Sequence, residues 1–518
     1  MPPHSLHVAL VRPPVLQRAA SLSLYGAVPP IGLAYVAAVL RADGHRVTVV
    51  DAAGEGIDQT VTVDRAVGRL LRTGLSDTDI VARLPQDVDV VGFTHMFLHE
   101  WPDLRALIAR VTAALPEARI VLGGENATAF WRWLLPQAPA VTCCVLGEGE
   151  GTFRSLVSRF ATDAPWRDLP GLAFVTPDGP RDTGLPQRLK EPDALPRPAW
   201  DLFPLEAYLS QRDPHGVHRG RSLPILATRG CPYTCTFCSS PDMWTTRYTT
   251  RSPEEVVAEM ADAVERWGVE NFNFCDLTAI VRRDWILGFC EALRRADLDV
   301  TWQLPTGTRS EALDAEVLAA AHETGCRNLT YAPESGSTRM LKQLKKRVSP
   351  PAMLESLGAA HRLGLVTRVN IIIGHPEEQA DDTLASLRLL VAAALRGCDD
   401  AAVMVFSPYP GSKDFARLLE AGEVELTDRF CYLGLTRTGG LHRSWHPDWG
   451  PRRLHAVQLA LLVVFYGTAW AVRPGRAASA ARSLLTGRES TQLDQFLRTK
   501  LAQVRTRGRA GAPAEAAR

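Results

Sequence analysis

Apolar runs alternate with helical patterns through the first 150 residues of the chain. Between the runs lie helical patterns such as Ile31–Ala42, with Gly44 where a helix end favours glycine. Because strands of unbroken apolar character are buried on both faces, the pattern predicts a doubly wound parallel sheet covered by helices. The runs predicted to be strands are His7–Pro13, Arg46–Ala52, Val88–Thr94, Arg119–Gly123 and Val141–Leu146.

Small and polar residues follow these predicted strands, at the edge where doubly wound sheets bind their ligands. Each of these segments could be an ordinary tight turn, but together they predict a ligand site along the carboxyl edge of the sheet. The candidate binding residues are Pro13, Thr94, Gly123, Gly124, Glu125, Asn126, Gly147, Glu148, Gly149 and Glu150.

The alternation of strand and helix patterns resumes at Ser222 and continues to about residue 415. Six successive strand–helix units predict a partial (β/α)6 barrel, an incomplete TIM barrel. The segment between the two alternating regions is dense in Pro, Asp and Gly, and TPDG at 176–179 predicts a hairpin turn. The barrel strand patterns are Leu223–Thr228, Asn271–Cys275, Val300–Leu304, Asn328–Ala332, Arg368–Ile373 and Ala402–Phe406.

We therefore predict an α/β chain in five parts. A doubly wound, Rossmann-like domain is followed by a connector, the partial barrel, a helical region and a disordered tail. The predicted boundaries are 1–155, 156–220, 221–415, 416–504 and 505–518.

Composition narrows the class of protein. The chain has 518 residues, of which 46% are hydrophobic and 22% charged, which is typical of a folded globular protein. A formal net charge of +1 and the lack of a basic module give no sign of a nucleic-acid partner. The N-terminus lacks the apolar run of a secretory signal, and ten cysteines are too few for a disulfide scaffold in a chain this long. We expect a cytoplasmic, reducing location.

One apolar segment raises the question of a membrane. Residues 454–472 contain no Asp, Glu, Lys or Arg, and this length barely spans a bilayer. The segment carries His455 and Gln458, and arginines flank both of its ends. We predict a buried or interfacial helix that could make peripheral membrane contact, with a true membrane span as the alternative.

The strongest chemical signal is a run of three cysteines, Cys231, Cys235 and Cys238, directly after the first predicted barrel strand. Three thiolates at this spacing can hold three corners of a cubane iron–sulfur cluster. The fourth iron is then open to another ligand, as in catalytic metal sites. Zinc is the alternative, but it needs four ligands, and no fourth Cys or His lies close by in the sequence.

This C-x3-C-x2-C run at the end of a barrel's first strand resembles the radical S-adenosylmethionine (SAM) superfamily. The resemblance implies a [4Fe–4S] cluster on the three cysteines, with SAM on the open iron. One electron cleaves SAM to methionine and a 5′-deoxyadenosyl radical, which abstracts a hydrogen atom from the substrate. An electron donor such as flavodoxin or ferredoxin is then required.

The resemblance also implies SAM-binding residues at other barrel-strand ends. Phe237 matches the family's aromatic residue that packs on adenine, and residues 331–337 (YAPESGS) resemble the fourth-strand segment near the SAM ribose and methionyl part. Residues 371–378 (IIIGHPEE) resemble the fifth-strand turn near adenine. Barrel packing or helix capping could equally explain such residues. The candidate SAM-binding residues are Glu334, Ser335 and Gly374 in these segments, and Arg309 after the third barrel strand. Cys275, after the second barrel strand, is a candidate hydrogen-atom donor, and a structural core thiol is the alternative.

The N-terminal sheet resembles the cobalamin-binding (B12-binding) domain of the class B radical SAM enzymes. The segments that carry this resemblance are Pro29–Ala34, 49–52, 123–126 and 146–150. Other B12-binding domains carry D-x-H-x-x-G, whose His is the lower cobalt ligand, whereas Asp51–Gly56 has no His. Cobalt would then be bound with no histidine below it, or with water or another side chain. A vestigial sheet that binds nothing is the alternative.

These resemblances imply a cobalamin-dependent radical SAM C-methyltransferase that acts on an unactivated carbon of a small molecule, such as a natural-product or lipid-like intermediate. The alternative is a cyclase or oxidoreductase like the anaerobic magnesium-protoporphyrin monomethyl ester cyclases, which share the same pair of domains. A non-catalytic sensor would be expected to have damaged SAM motifs, and the motifs here are intact.

Overall fold

A computed structural model describes residues 5–18, 26–211, 215–436, 443–486, 489 and 491–510. We number its strands and helices in chain order. The strands are β1 His7–Arg12, β2 Val15–Gln17, β3 Arg46–Asp51, β4 Thr60–Arg65, β5 Gly68–Thr73, β6 Val90–Thr94, β7 Arg119–Gly123, β8 Val141–Val145, β9 Leu172–Thr176, β10 Gly179–Asp182, β11 Ser222–Ile225, β12 Thr228–Arg229, β13 Thr249–Thr250, β14 Asn271–Phe274, β15 Thr301–Thr308, β16 Cys326–Glu334, β17 Val366–Ile373 and β18 Asp400–Val405. The helices are α1 Ile31–Ala42, α2 Ala52–Glu55, α3 Asp77–Arg83, α4 Trp101–Ala114, α5 Glu125–Leu134, α6 Gly149–Ala161, α7 Leu205–Leu209, α8 Ser240–Trp244, α9 Pro253–Trp267, α10 Arg283–Ala296, α11 Ala315–Glu323, α12 Thr338–Gln343, α13 Pro350–Arg362, α14 Ala380–Leu395, α15 Lys413–Glu420, α16 Asp428–Leu433, α17 Pro451–Val472, α18 Pro474–Thr486 and α19 Gln492–Ala510.

The first sheet has seven strands in the order β10-β9-β8-β7-β6-β1-β3. Five neighbouring strands of this sheet are parallel: β3, β1, β6, β7 and β8. Strands β9 and β10 continue the sheet in antiparallel orientation. Successive residues of β1 belong to different cores, with Val8 and Leu10 in one and Ala9 and Val11 in the other. Both faces of the sheet are therefore covered, which confirms the predicted fold class.

Part of the predicted connector, residues 156–220, belongs to the first sheet. Its residues 172–182 form β9 and β10, which extend the first sheet, and α6 continues past the predicted boundary to Ala161. The predicted hairpin turn at 176–179 is confirmed, because it joins β9 to β10. The sequence analysis also missed a small antiparallel sheet of β2, β5 and β4, because exposed hairpin strands lack an apolar run.

The second sheet contains six parallel strands in sequential order, β11-β14-β15-β16-β17-β18. No pairing joins β18 back to β11 in the described residues, so the barrel is partial. Helices α9 to α14 separate most of the strands, as strand–helix units require. The predicted partial barrel is therefore confirmed.

The C-terminal region is helical, and α17 forms part of the barrel wall. In the described part of the chain it is the one helix long and apolar enough to cross a membrane, by length and composition only, and 22% of its most apolar window is buried. Leu454, Leu461 and Phe465 pack into the core, and Gln458 donates a hydrogen bond to the Val403 carbonyl oxygen at 2.7 Å. Membrane contact through the outer face of α17 stays a prediction.

The predicted disordered tail is wrong for residues 505–510, because α19 continues to Ala510. Lysine, arginine and glutamine are good helix formers, and the sequence analysis gave more weight to the Gly and Pro that come later. Residues 511–518 lie outside the described residues.

Candidate active site

The carboxyl edges of the two sheets face each other. Glu125, directly after β7 and Gly124, accepts a hydrogen bond from the Ser239 hydroxyl at 2.6 Å, and Ser239 is the residue after Cys238. Burial raises the pKa of Glu125, although the hydrogen bond from Ser239 opposes that shift. The fold therefore places the predicted ligand edge of the first sheet against the three-cysteine loop.

The three cysteines lie in one partly buried loop that follows β12. Burial raises the pKa of Cys235 to about 11. Only three and two residues separate the successive cysteines, so one short loop carries all three thiols. No three or more His, Cys, Asp or Glu side chains in the described chain are arranged to hold one metal ion. A structural zinc site takes four protein ligands, and this loop supplies three thiols, so the loop suits a cluster with one open iron better than structural zinc.

Lys346, which no pattern in the sequence singles out, lies beside the cysteine loop. Lys346 Nζ is 3.0 Å from Glu334 Oε1, both side chains are nearly buried, and Nζ lies 5.8 Å from the centroid of the Phe237 ring. Burial would lower the pKa of Lys346, but the charge of Glu334, with that of Cys235, outweighs burial and raises it. Lys346 follows α12 within a basic segment, which on sequence alone is typical of a solvated surface.

The other SAM candidates surround the same loop. Arg309 is 7% exposed, and its guanidinium carbon lies 3.6 Å from the centroid of the Tyr233 ring, within the cysteine loop. The Nε of Arg309 is buried without a hydrogen-bond partner, so this group could still bind a ligand. Ser335 accepts a hydrogen bond from the Ser337 backbone N–H at 3.1 Å and so supports the turn after β16.

Gly374 follows β17 and has a φ of +76°, a conformation that favours glycine. A Cβ at this position would lie 2.8 Å from a methyl carbon of Leu454, at the start of α17. Its backbone N–H donates to the Glu378 carboxylate. The glycine is therefore required by backbone strain and by the approach of α17, whatever it contributes to SAM binding.

Cys275 directly follows β14 and is partly buried at the same edge of the barrel. Its neighbour Asp276 is 1% exposed and accepts hydrogen bonds from the Thr228 hydroxyl at 2.5 Å and from the Ala227 N–H at 3.2 Å. Burial raises the pKa of Asp276 to about 6 despite these donors.

We expect Asp276→Asn to remove a pH dependence of stability. Because the pKa of folded Asp276 lies above its ordinary value of 3.8, its contribution favours folding at low pH. That contribution is lost as the pH rises from about 4 to about 6. Denaturation at pH 5 and pH 7 should therefore differ less for the variant than for the wild type. If the difference in stability between pH 5 and pH 7 were the same in the variant and the wild type, Asp276 would not be its source.

The predicted residues of the first sheet lie along its carboxyl edge. Pro13 and Thr94 follow or end the neighbouring strands β1 and β6, and Gly123 ends β7. Gly124 has a φ of +109°, and a Cβ there would lie 2.7 Å from the His95 carbonyl oxygen. The Asn126 side-chain amide lies 3.1 Å from His95 Nε2.

In the loop before α6, the acidic side chains are not available to a ligand, because each forms an ion pair with an arginine of the protein. Glu148 accepts from Arg188 Nε at 2.8 Å, and Glu150 accepts from Arg229 at 2.7 Å, all four side chains being less than 10% exposed. Burial would raise the pKa of Glu150, but the charge of Arg229 outweighs it and the pKa is lowered. This loop could reach a ligand through the backbone of Gly147 and Gly149, rather than through its carboxylates.

Two family models match the chain, each on one of the two sheets. The B12 binding domain matches residues 18–157, and the radical SAM superfamily matches residues 225–390, so that together they cover more than half of the chain.

Curated relatives include two kinds of enzyme. Cytidylyl-2-hydroxyethylphosphonate methyltransferase of Streptomyces wedmorensis is 29% identical over 76% of this chain and 79% of its own. An anaerobic magnesium-protoporphyrin IX monomethyl ester cyclase of Rubrivivax gelatinosus is 26% identical over 78% of this chain and 69% of its own.

A solved structure shares the fold. The radical SAM methyltransferase TsrM of Kitasatospora setae, with cobalamin and a [4Fe–4S] cluster bound, aligns with a TM-score of 0.63 over 89% of each chain at 16% identity. The protein is an enzyme, and the Streptomyces methyltransferase matches it at 29% identity against 26% for the Rubrivivax cyclase. Its cofactors are those of both matched families, a [4Fe–4S] cluster, SAM and cobalamin. The order of the two family models along one chain, on two sheets whose carboxyl edges meet, shows that this protein belongs to the cobalamin-binding radical SAM enzymes.

Proposed function

We propose that the protein C-methylates an unactivated carbon of a small natural-product or lipid-like molecule. The observation that carries the proposal is the contact between Glu125 of the first sheet and Ser239 beside the cysteine loop. When bound, the cluster and SAM supply a radical for hydrogen abstraction, and cobalamin supplies the methyl group. Facing edges would let one substrate carbon meet both sources within a single enclosed site.

Different residues of the barrel would hold the cluster and bind SAM. Cys231, Cys235 and Cys238 would hold the cluster, and the Glu334–Lys346 pair beside Cys235 would place one acidic and one basic group where SAM carries its amino and carboxylate groups. Arg309, with its unpaired Nε, is the second candidate for the SAM carboxylate. Charge-assisted hydrogen bonds of this kind fix orientation as well as affinity.

Along the first sheet, the backbone after β1, β6, β7 and β8 would form the cobalamin-binding edge. Residues after parallel strands present backbone N–H groups and leave room for a large planar ligand where glycines replace side chains. Gly123 has open space at its Cβ position, and so suits this role. Cys275 remains a candidate hydrogen-atom donor at the barrel edge.

The test is one anaerobic incubation of reconstituted protein with cobalamin, a strong reductant and SAM deuterated in its methyl group. We expect both 5′-deoxyadenosine and S-adenosylhomocysteine by mass spectrometry, because each turnover consumes one SAM for the radical and one for the methyl group. Deuterium in the product then identifies the methylated substrate among candidates. Flavodoxin or ferredoxin should replace the chemical reductant.

The second candidate is a cyclase or oxidoreductase, favoured by the match to the Rubrivivax cyclase over 78% of this chain. It predicts 5′-deoxyadenosine without S-adenosylhomocysteine in the same incubation. That result would remove the methyltransferase proposal.

A further inference from the structure

Helix α17 presents an apolar face to solvent over about four turns. Its buried residues recur every three or four positions and form the inner face against the barrel: Leu454, Gln458, Leu461, Phe465 and Ala469. The opposite face exposes Leu459, Val463 and Trp470, and Val463, near its middle, is 70% exposed. Small residues complete this outer face: Ala456, Ala460 and Gly467. Because a surface helix of a globular protein normally turns polar residues outward, an apolar outer face indicates an interaction site.

The neighbouring helices add to this apolar surface. Both α14 and α18 pack against α17. Leu395 of α14 is 56% exposed, and Leu485 of α18 is 89% exposed. Singly scattered apolar residues are normal on a protein surface, but here they lie on helices that adjoin an apolar face. We call the five exposed side chains of Leu395, Leu459, Val463, Trp470 and Leu485 the α17 face.

The charges of the C-terminal region are almost all positive. Residues 451–510 contain 11 Lys and Arg residues and only two acidic residues, although the whole chain has a formal net charge of +1. Both acids are withdrawn from the surface, since Asp494 is 1% exposed and the ion-paired side chain of Glu489 is also 1% exposed. Arg452, at the start of α17, and Arg482 of α18 are exposed. The described part of this region therefore presents cations and no carboxylate around the α17 face.

The inner face of α17 decides how the helix can meet a membrane. Gln458 donates to the Val403 carbonyl oxygen of β18 at 2.7 Å, and Arg473, directly after the helix, donates to the Gly397 carbonyl oxygen at 2.8 Å. A helix that crossed a bilayer would have to leave these partners and expose the barrel core. A helix that lies in the plane of the interface keeps its inner contacts and inserts only its outer face.

A second copy of the chain is a poorer partner for this face than a lipid surface. In a twofold dimer the same patch of both subunits meets. The exposed arginines of the two copies, Arg452 and Arg482, would then approach like charges, which disfavours association. An anionic lipid surface complements both the apolar side chains and the cations.

We propose that the α17 face docks on the surface of an anionic lipid bilayer, with its apolar side chains among the headgroups and its arginines on the lipid phosphates. The inference goes beyond the proposed function and does not depend on it. A Cβ at Gly374, at the carboxyl edge of the barrel, would lie 2.8 Å from Leu454 at the start of α17. Docking would therefore hold the mouth of the candidate active site beside the bilayer, where a lipid-like substrate would enter.

The experiment is flotation of the full-length, reconstituted protein with vesicles of phosphatidylcholine alone or mixed in equal parts with phosphatidylglycerol. We expect the protein to float with the anionic vesicles and not with the neutral ones, and its binding to weaken as salt screens the arginines. Val463→Asp should not float, because a carboxylate is costly to bury among apolar groups and is repelled by anionic lipid. The matched control is Val61→Asp, at a 53% exposed valine of β4, which should bind like the wild type.

Arginine variants test the charge separately. Arg452→Gln and Arg482→Gln should each weaken binding to the anionic vesicles about fivefold, the effect of one arginine near such a surface. Arg69→Gln removes an exposed arginine of β5, outside the C-terminal region, and should leave binding unchanged.

Four results would overturn the proposal. They are equal flotation with neutral and anionic vesicles, flotation of Val463→Asp like the wild type, binding that none of the three arginine variants changes, and no flotation of the wild type. None of them affects the proposed function, because formation of 5′-deoxyadenosine and S-adenosylhomocysteine is measured without vesicles. A wild type that sediments as a dimer and does not float, with Val463→Asp monomeric, would assign the α17 face to a second copy of the chain instead.

Discussion

Replacing Cys235 with Ala is expected to abolish both the iron–sulfur absorbance and SAM cleavage. Cys235 is the middle thiol of the three-cysteine loop and is partly buried. Two remaining thiolates cannot hold a cubane with one open iron. Reconstituted protein should therefore yield no 5′-deoxyadenosine under strong reductant, measured by mass spectrometry.

Cys431→Ala is the matched control, because it removes a fully buried thiol from α16, outside the cysteine loop. It should keep the cluster absorbance and the cleavage reaction. The cysteine loop is partly exposed, so the substitution should leave both hydrophobic cores intact. Circular dichroism should therefore show that Cys235→Ala is folded. If a folded Cys235→Ala protein still cleaved SAM, the prediction that the three cysteines hold the cluster would be wrong.

Lys346→Met is expected to have the second-largest effect. The change leaves Glu334, which is 7% exposed, without its charged partner at 3.0 Å. Breaking a nearly buried ion pair by removing one side costs about 3–5 kcal/mol of unfolding free energy. Chemical denaturation should show this loss, and the KM for SAM should rise because a candidate carboxylate contact is gone.

A double variant separates the two effects. Lys346→Met with Glu334→Gln removes the unpaired charge, so much of the lost stability should return, whereas SAM cleavage should stay impaired. Lys342→Met, on the exposed face of α12, is the control and should change neither quantity. Full recovery of SAM cleavage in the double variant would assign the pair a purely structural role.

The sequence predicted those parts of the fold that depend on apolar periodicity. Helix Ile31–Ala42 has the predicted bounds, because its apolar pattern is followed by an end signal at Gly44. The hairpin of β9 and β10 was predicted from its TPDG turn, but its place in the first sheet was not, since short strands among prolines and glycines have no apolar pattern. Their pairing is decided by the neighbouring strand β8, which is a tertiary contact.

The candidate site was predictable where a motif carries its own spacing, as in the three cysteines. Lys346 and the partners of Glu148 and Glu150 were not, because an ion pair between distant segments leaves no local pattern. Arg188 and Arg229 stand 40 and 79 residues beyond the acids that they neutralise. Acidic residues beside strand ends suggested ligand contacts, but here a protein cation occupies their carboxylates.

The same four-residue ion network has a consequence for synthesis of the chain on the ribosome. The first sheet is complete in sequence at Asp182, yet Glu150 lacks its partner until Arg229 has been made. At ordinary rates of translation, the 79 intervening residues take roughly 4–16 s. During that interval Glu150 lacks the cation whose charge does most to lower its pKa. The ion pair between the two halves can therefore form only after β12 has emerged, so this contact is a late event in synthesis.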